Sequence, residues 1–322
     1  MRAVQVSTLT GPDDIAVQEV PEPSAAPGHV LVDVHSVGVS FPDLLLTRGQ
    51  YQLKPEPPFT LGVDFAGVVR EDAAGFTQGQ RVAGFGSHGG AADVVAAPAP
   101  MLFALPDALS FDEGSALPMN YLTALFALEE RAGLRAGETV LVHGAAGGVG
   151  TATLQVAKAM GARTIAVCST PEKQEFAKAA GADEAIGIEG FKDAVKGLTD
   201  GRGVDVVLDV VGGDVFTDSL RSLAPQGRLL VVGFAAGQGI PEVKVNRLLL
   251  NNIDVRGVGW GDYVLKHPDH LAHQWARLDE LIAGGGIAPP IGRTYPIEDF
   301  AQALRDMDGR AALGKLVVKI RD

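Results

Sequence analysis

Apolar residues fall into short runs along this chain, and what separates the runs changes once, near Asn120. Ahead of that point, stretches such as Val30-Leu31-Val32-Asp33-Val34 and Val63-Asp64-Phe65-Ala66-Gly67-Val68-Val69 lie between glycine and proline punctuation, including Pro21, Pro23, Pro27 and Pro55-Glu56-Pro57-Pro58. That pattern predicts β strands, and helical periodicity is scarce there. Beyond it, Tyr121 to Leu134 predicts a helix. Apolar strands then alternate with amphipathic helices. The strands expected are Thr139–His143, Arg163–Cys168, Ala185–Ile186, Val204–Asp209, Gly227–Val232 and Ile253–Val258, with helices near 148–160, 173–180, 191–199 and 215–223. Repeated βαβ units of this size imply a parallel sheet covered by helices on both faces. After Trp260-Gly261 a longer helix is expected near 268–284, with Pro268 where a first-turn proline is tolerated. It stops at Gly284-Gly285-Gly286, and a short tail ends in the strand-like Leu316-Val317-Val318-Lys319-Ile320. The expectation is an α/β protein: a mostly β domain from residues 1–119 and 264–322, and a doubly wound domain from residues 120–263.

The 322 residues suit two domains at about 150 residues each. A hydrophobic share of 46% is enough to build two cores and excludes a disordered chain. The 27 basic residues against 39 acidic ones give a net charge of -12, which repels phosphate backbones and disfavours nucleic acid as a partner. The single cysteine, Cys168, allows no intramolecular disulfide and no Cys-built zinc site, as suits a reducing compartment. No signal-peptide apolar region opens the sequence, and no run approaches the ~18 apolar residues of a membrane span. The nearest, Val94 to Leu105, is broken by Pro98 and Pro100. A cytoplasmic protein with no membrane partner is expected.

The candidate chemistry begins at Leu141-Val142-His143-Gly144-Ala145-Ala146-Gly147-Gly148-Val149-Gly150, between a strand and a helix. A glycine-rich hexad alone is a weak signal, but within a βαβ unit it predicts the phosphate-binding turn of a dinucleotide (Rossmann) domain. Gly147 lets the backbone approach a pyrophosphate, and Gly150 lets helix and strand pack closely. The helix start offers free N–H groups and positive dipole charge. Ala145 stands at the first glycine of the usual fingerprint, so the turn is a modified one. An enzyme using NAD carries an acid about 20 residues further on, bound to the ribose 2′-OH. Here the second strand ends in Cys168-Ser169-Thr170-Pro171-Glu172-Lys173. Ser169 and Lys173 suit a 2′-phosphate instead, one by hydrogen bond and one by charge, and favour NADPH over NADH. Lys173 as a solvated surface charge is the alternative.

At this point the sequence resembles the medium-chain dehydrogenase/reductase superfamily, in its zinc-independent quinone oxidoreductase (zeta-crystallin-like) branch. The residues that carry the likeness are Gly137-Glu138-Thr139-Val140-Leu141, Ala145 to Gly150, Gln155 and Lys158. It extends over Gly38-Val39-Ser40-Phe41-Pro42-Asp43-Leu44, Arg48-Gly49-Gln50-Tyr51, Asn120-Tyr121-Leu122-Thr123-Ala124 and Arg310-Ala311-Ala312-Leu313-Gly314-Lys315, essentially the whole chain. The resemblance implies a GroES-like catalytic domain beside the Rossmann domain, an active site in the cleft between them, and a homodimer formed through the strand near 253–258. It also implies that Thr123 and the loop Val232-Gly233-Phe234 approach the nicotinamide. Ala146, Gly147, Gly148 and Val149 would hold the pyrophosphate, Ser169 and Lys173 the adenosine phosphate, and Arg310 a further part of the cofactor. Two positions depart from the family pattern. Ser40 stands where asparagine is usual, and Gly187-Ile188 where an Asn/Asp-Tyr pair is common.

Zinc-dependent relatives place a histidine where Leu61-Gly62-Val63-Asp64 has Val63, so no catalytic metal is expected and metal-assisted alcohol oxidation is poorly supported. His267, His270 and His273, spaced by three, read as a solvated helix start. His143 reads as a packed residue and Cys168 as a small buried hydrophobe. The leading functional expectation is hydride transfer from NADPH to a quinone, with Tyr51 and Ser40 as the catalytic candidates beside the acceptor. Tyr51 as a mere support for the Pro55–Pro58 loop is the bland reading. Asp43 and Arg48 are read as organising the acceptor site, with a local salt bridge between them as an equal alternative, and Asp43 is not among the catalytic candidates. Reduction of α,β-unsaturated ketones or enoyl thioesters, and a non-catalytic crystallin-like role with NADPH bound, are the alternatives.

Overall fold

A computed structural model describes residues 1–321 and separates them into two compact units: Met1–Asn120 with Pro289–Asp322, and Tyr121–Ala288. No helix among the described residues is long and apolar enough to cross a membrane.

The first unit is built on two sheets. Arg2–Val6 pairs antiparallel with Ile15–Glu19 on one side and with Phe59–Thr60 on the other. The larger sheet has seven strands, running Ile291–Pro296, Lys315–Lys319, His29–Val39, Asp64–Val69, Arg81–Phe85 and Leu102–Ala104, with Val94–Pro98 also on His29–Val39. In His29–Val39 the inward residues Val30, Val32 and Val34 alternate with partly exposed ones, as a strand with one covered face requires. Its second half, Val37 to Val39, is buried throughout: the helix Phe111–Gly114 packs on this strand, and the strand Lys315–Lys319 pairs along its edge. That last strand joins by the register Leu316↔Val39, Val317↔Gly38, Val318↔Val37 and Lys319↔Ser36.

The second unit holds six parallel strands: Thr139–His143, Arg163–Cys168, Glu184–Gly187, Val204–Asp209, Leu223–Val231 and Asp254–Gly257. In chain order they lie third, second, first, fourth, fifth, sixth across the sheet. This is the order of a dinucleotide-binding Rossmann domain, which reverses between the first and fourth strands. Those two central strands are buried throughout, which explains their mostly apolar sequences, and Asp205 inside the fourth is satisfied by Thr139 N and Arg202. The core gathers Leu141, Ile165, Val167, Val207, Phe216 and Leu229.

The unit boundary differs from the sequence expectation of residue 263. The helix Asp269–Ala283 belongs to the Rossmann unit, burying Leu271, Trp275, Leu278 and Leu281, while Gln274 accepts from Trp260 Nε1 at 2.8 Å. The unit closes at Ala288 because Gln155, on the helix Gly148–Ala159, grips that residue's backbone twice. Its amide donates to Ala288 O at 2.8 Å and its oxygen accepts from Ala288 N at 3.0 Å. An amphipathic face shows that a helix packs, not which core receives it.

Candidate functional site

In the Rossmann unit the candidate residues gather at the carboxyl ends of the strands, beside the point where strand order reverses. The first strand ends at His143 and the chain turns through Gly144, with φ +62°, into Gly147 and the helix Gly148–Ala159. Gly147 N donates to Gly144 O at 3.0 Å, and Thr151 Oγ1 donates to Gly147 O at 3.0 Å, which fixes the turn. A Cβ on Gly150 would stand 2.2 Å from Gly144 O and 2.7 Å from Ala145 Cα, both backbone atoms. A Cβ on Gly147 would meet only Gly144 O, at 3.4 Å. The two glycines therefore differ in demand: one is required by packing, and the other leaves open space beside the first-turn N–H groups of Gly148 and Val149, which have no intrahelical acceptor. Ala145 and Ala146 are buried behind the turn.

The second strand ends at Cys168, and Ser169 is exposed at its tip. Thr170 caps the helix Pro171–Ala179 by accepting from Lys173 N at 3.3 Å, so Lys173 lies on the first turn, near enough for its charge to act on the Cys168 thiol. Burial is the stronger influence and pushes that thiol up to about 11, which leaves it unreactive. Ile188, just past the third strand, is 39% exposed. After the fourth strand, Asp209 Oδ1 accepts from Val211 N at 2.8 Å and Gly212 N at 2.9 Å. The loop after the fifth strand is tied to that turn through Ala235 N to Val210 O and Ala236 N to Val211 O, at 3.0 and 2.9 Å. This presents Gly233 and the 39% exposed Phe234. Thr123, mostly buried, begins a short α-helical stretch between π-helical segments Pro118–Leu122 and Phe126–Ala132. Such π segments are frequent at functional sites.

The β unit holds the other candidates. Ser40 precedes the helix Phe41–Thr47, and Asp43 on its first turn accepts from Ser40 N at 3.0 Å. Asp43 does not pair with Arg48, so the salt-bridge alternative is not realised: Arg48 forms an ion pair with Asp308. The Asp43 carboxyl is fully buried and instead accepts from Gly62 N at 3.0 Å and Val63 N at 3.2 Å. Burial pushes it up to about 7, against the pull of these N–H donors and with the added repulsion of Asp64. Tyr51 is half-buried on the core, and its hydroxyl makes no hydrogen bond among the described residues. Burial, then the Asp43 charge, raises its titration above the phenol's ordinary value. Arg310 is exposed at φ +57°, its N–H donating to Met307 O at 3.0 Å.

Two residues that sequence reasoning did not select complete this cluster. Lys315 Nζ donates to Ser40 Oγ at 2.7 Å and to Asp64 Oδ2 at 2.6 Å, and Ser40 Oγ donates to the same Asp64 oxygen at 2.8 Å. Asp64 Oδ1 accepts from Met119 N at 3.0 Å. The lysine side chain is 3% exposed and the aspartate 0%. Gly38 is required for this arrangement, since a Cβ there would stand 2.5 Å from Lys315 Cε and 2.1 Å from Ser115 O. The available signal was a glycine inside a strand together with a lysine opening an apolar one. Val63, 2% exposed, packs in the core, and among the described residues no group of three or more His, Cys, Asp or Glu could hold a metal ion.

The other flagged residues are structural. His143 is buried, its Nε2 2.8 Å from Ser219 Oγ, with its ring edge-on to Phe191. His270 lies 2.6 Å from Glu130 and packs against Tyr263 and Phe126, so the helix start is less solvated than expected.

Comparison with known proteins agrees with both units. Residues 26–107 match the family model of the alcohol dehydrogenase GroES-like domain, and residues 148–283 that of the zinc-binding dehydrogenases. Quinone oxidoreductase-like protein 2 of Rattus norvegicus is 38% identical over 99% of this chain and 92% of its own length. The crystal structure of a probable oxidoreductase from Mycobacterium abscessus superposes with a TM-score of 0.91, at 44% identity, over 99% of this chain and 98% of that one. Escherichia coli quinone oxidoreductase complexed with NADPH superposes with a TM-score of 0.89, at 27% identity, over 99% and 100% of the two chains. With a GroES-like unit, a Rossmann unit and quinone oxidoreductase relatives matched over nearly its whole length, the chain belongs to the zinc-independent quinone oxidoreductase family of the medium-chain dehydrogenases/reductases, and is an oxidoreductase.

Proposed function

We propose that this enzyme transfers a hydride from NADPH to a quinone-type acceptor. The observation that carries the reading is the turn at Gly147, open beside a helix start, with Ser169 and Lys173 at the adjacent strand tip. These residues fit the cofactor. Gly147, Gly148 and Val149 would take the pyrophosphate at the positive end of the helix, with Ala146 behind them. Ser169 and Lys173 would take the 2′-phosphate, Thr123, Gly233 and Phe234 the nicotinamide end, and Arg310 a further cofactor contact. Bound NADPH supplies the two electrons and one hydrogen. A quinone is already electrophilic, so the chain's own work is to position it, exclude water and provide a proton. Tyr51, whose hydroxyl has no protein acceptor among the described residues, would hold the acceptor oxygen, with Ser40 beside it.

We also propose a homodimer. The sixth strand, Asp254–Gly257, ends the sheet with one side unpaired among the described residues, and Val245, Leu249 and Leu250 nearby are 71–76% exposed. A second copy adding its own edge strand would satisfy both features.

The deciding experiment follows anaerobic loss of absorbance at about 340 nm, where reduced nicotinamides absorb, with NADPH or NADH and a simple quinone. NADPH-selective loss supports the whole reading. Equal rates with NADH remove the Ser169/Lys173 assignment. Binding of NADPH without quinone turnover moves the substrate to enones or enoyl thioesters if these react, and to a non-catalytic role if they do not.

A further inference from the structure

We infer that Lys315 and Asp64 form a buried proton relay that acts through Ser40 on the acceptor oxygen, which makes Ser40 the proton donor and Lys315 its supply. The inference rests on the reading above that Ser40 lies beside the acceptor.

The arrangement is costly as a mere fastening. A lysine and two aspartates, all nearly inaccessible to water, converge on one serine: Asp43 through its backbone N–H, Asp64 and Lys315 through its hydroxyl. A buried ion pair seldom improves stability over apolar side chains of the same volume, so its presence calls for another reason. The surrounding sheet is otherwise filled by valine, leucine and phenylalanine, and Gly38 is kept free of a side chain at the lysine's stem.

The hydrogen-bond directions define a path. Lys315 has only donors, so Ser40 Oγ must accept from it, and the serine's own hydrogen goes to Asp64. Asp64 would remain satisfied if that hydrogen turned away, because it also accepts from Lys315 Nζ and from Met119 N. The hydroxyl can therefore rotate toward an acceptor while Lys315 continues to hold its oxygen.

The step balances as follows. The quinone receives two electrons and one hydrogen as hydride from NADPH, and one proton from Ser40. The Ser40 O–H bond breaks as the acceptor O–H bond forms. A proton from Lys315 Nζ restores the hydroxyl, leaving a neutral amine hydrogen-bonded to Asp64, and solvent returns that proton between turnovers. The products are NADP and the hydroquinone. Asp43 is not part of the transfer. It positions Ser40 by accepting its N–H.

The test uses two variants of the full chain, Ser40→Ala and the paired Lys315→Met/Asp64→Asn, which removes both charges together so that no unpaired ion is left buried. Each is compared with wild type for NADPH-induced thermal stabilisation, kcat and KM with 1,4-naphthoquinone, and the pH dependence of kcat. General acid catalysis contributes about 10²–10⁴-fold. The relay therefore predicts a fall in kcat of at least about 10²-fold in both variants, unchanged NADPH stabilisation, and loss of the wild-type decline in kcat at alkaline pH. A paired variant that does not fold leaves Ser40→Ala to decide. Either folded variant with kcat within about threefold of wild type, about 0.65 kcal/mol in barrier, or with the wild-type alkaline decline retained, overturns the relay. Absence of turnover in the wild type removes the quinone reading instead, so the two failures are distinct.

Discussion

Gly147 and Gly150 are three residues apart in one turn, yet substitution by alanine should break different things. At Gly150 the added methyl would lie 2.2, 2.7 and 2.8 Å from Gly144 O, Ala145 Cα and Ala145 C, all backbone atoms that cannot rotate away. The helix has to retreat from the strand by about 1 Å, and overpacking of this kind costs about 1–3 kcal/mol. For a domain of this size each kcal/mol lowers Tm by about 2–4 °C, so Gly150→Ala should melt about 2–12 °C early. Gly147 has φ −89° and ψ 178°, open to any L residue, and its methyl would touch only Gly144 O at 3.4 Å. Gly147→Ala should therefore keep its Tm within about 2 °C, the scale of an ordinary half-kcal/mol substitution. Its methyl would instead stand in the open space assigned to the pyrophosphate. NADPH at a hundred times its Kd stabilises the wild type by about 2.7 kcal/mol, a rise of about 5–11 °C. That rise should shrink to a small fraction in Gly147→Ala. Thermal scans with and without NADPH measure both effects. A Gly147→Ala protein that keeps the full NADPH shift refutes the phosphate assignment, and a Gly150→Ala protein with an unchanged Tm refutes the steric one.

Arg228 donates to Glu138 at 2.8 and 2.9 Å and to Ala132 O at 3.0 Å, with only 10% of its side chain exposed. Arg228→Met should cost about 3 kcal/mol in urea unfolding, because it strands partly buried acceptors. Burial pushes His143 down to about 4, so the folded state binds fewer protons than the unfolded one between that value and the unperturbed 6.5. Stability is present above 6.5 and is lost as pH falls toward 4, by up to ~1.4 kcal/mol per pH unit. His143→Gln, neutral throughout, should remove that part of the slope in denaturation series at stepped pH. Leu249→Asp/Leu250→Asp alters side chains that are 76% and 74% exposed. It should convert a sedimenting dimer to monomer, and a dimer that survives counts against the edge-strand interface.

What the sequence disclosed depended on how local the cause was. The strands Thr139–His143 and Val204–Asp209 are legible because both faces are covered, so apolar residues dominate them and turn residues follow. The phosphate turn is legible because its glycines and its helix are contiguous. Lys315 and Asp64 are not, since 251 residues separate them and a lysine opening an apolar strand does not by itself say what its ammonium meets. The partners of Arg48 and Asp43 are hidden for the same reason: Arg48 finds Asp308, 260 residues away, and Asp43 is satisfied by backbone N–H groups. The domain boundary was missed because two hydrogen bonds from Gln155 settle it, and composition carries no trace of them.

The strand Lys315–Lys319 lies beside His29–Val39, although the ribosome reaches it only after the whole Rossmann unit has been made. At about 5–20 residues per second, the amino-terminal segment waits about 10–40 s after Asn120 before that strand is made. Throughout this interval the Ser36–Val39 end of His29–Val39 has an open edge, a template for strands of other chains. The Rossmann unit, encoded without interruption, can complete itself in the meantime. A chain shortened by its last eight residues keeps the whole nucleotide-binding unit but lacks Lys315 and the strand that seals the other sheet. Until Lys315–Lys319 docks, the first unit therefore keeps an open sheet edge while the second is already whole.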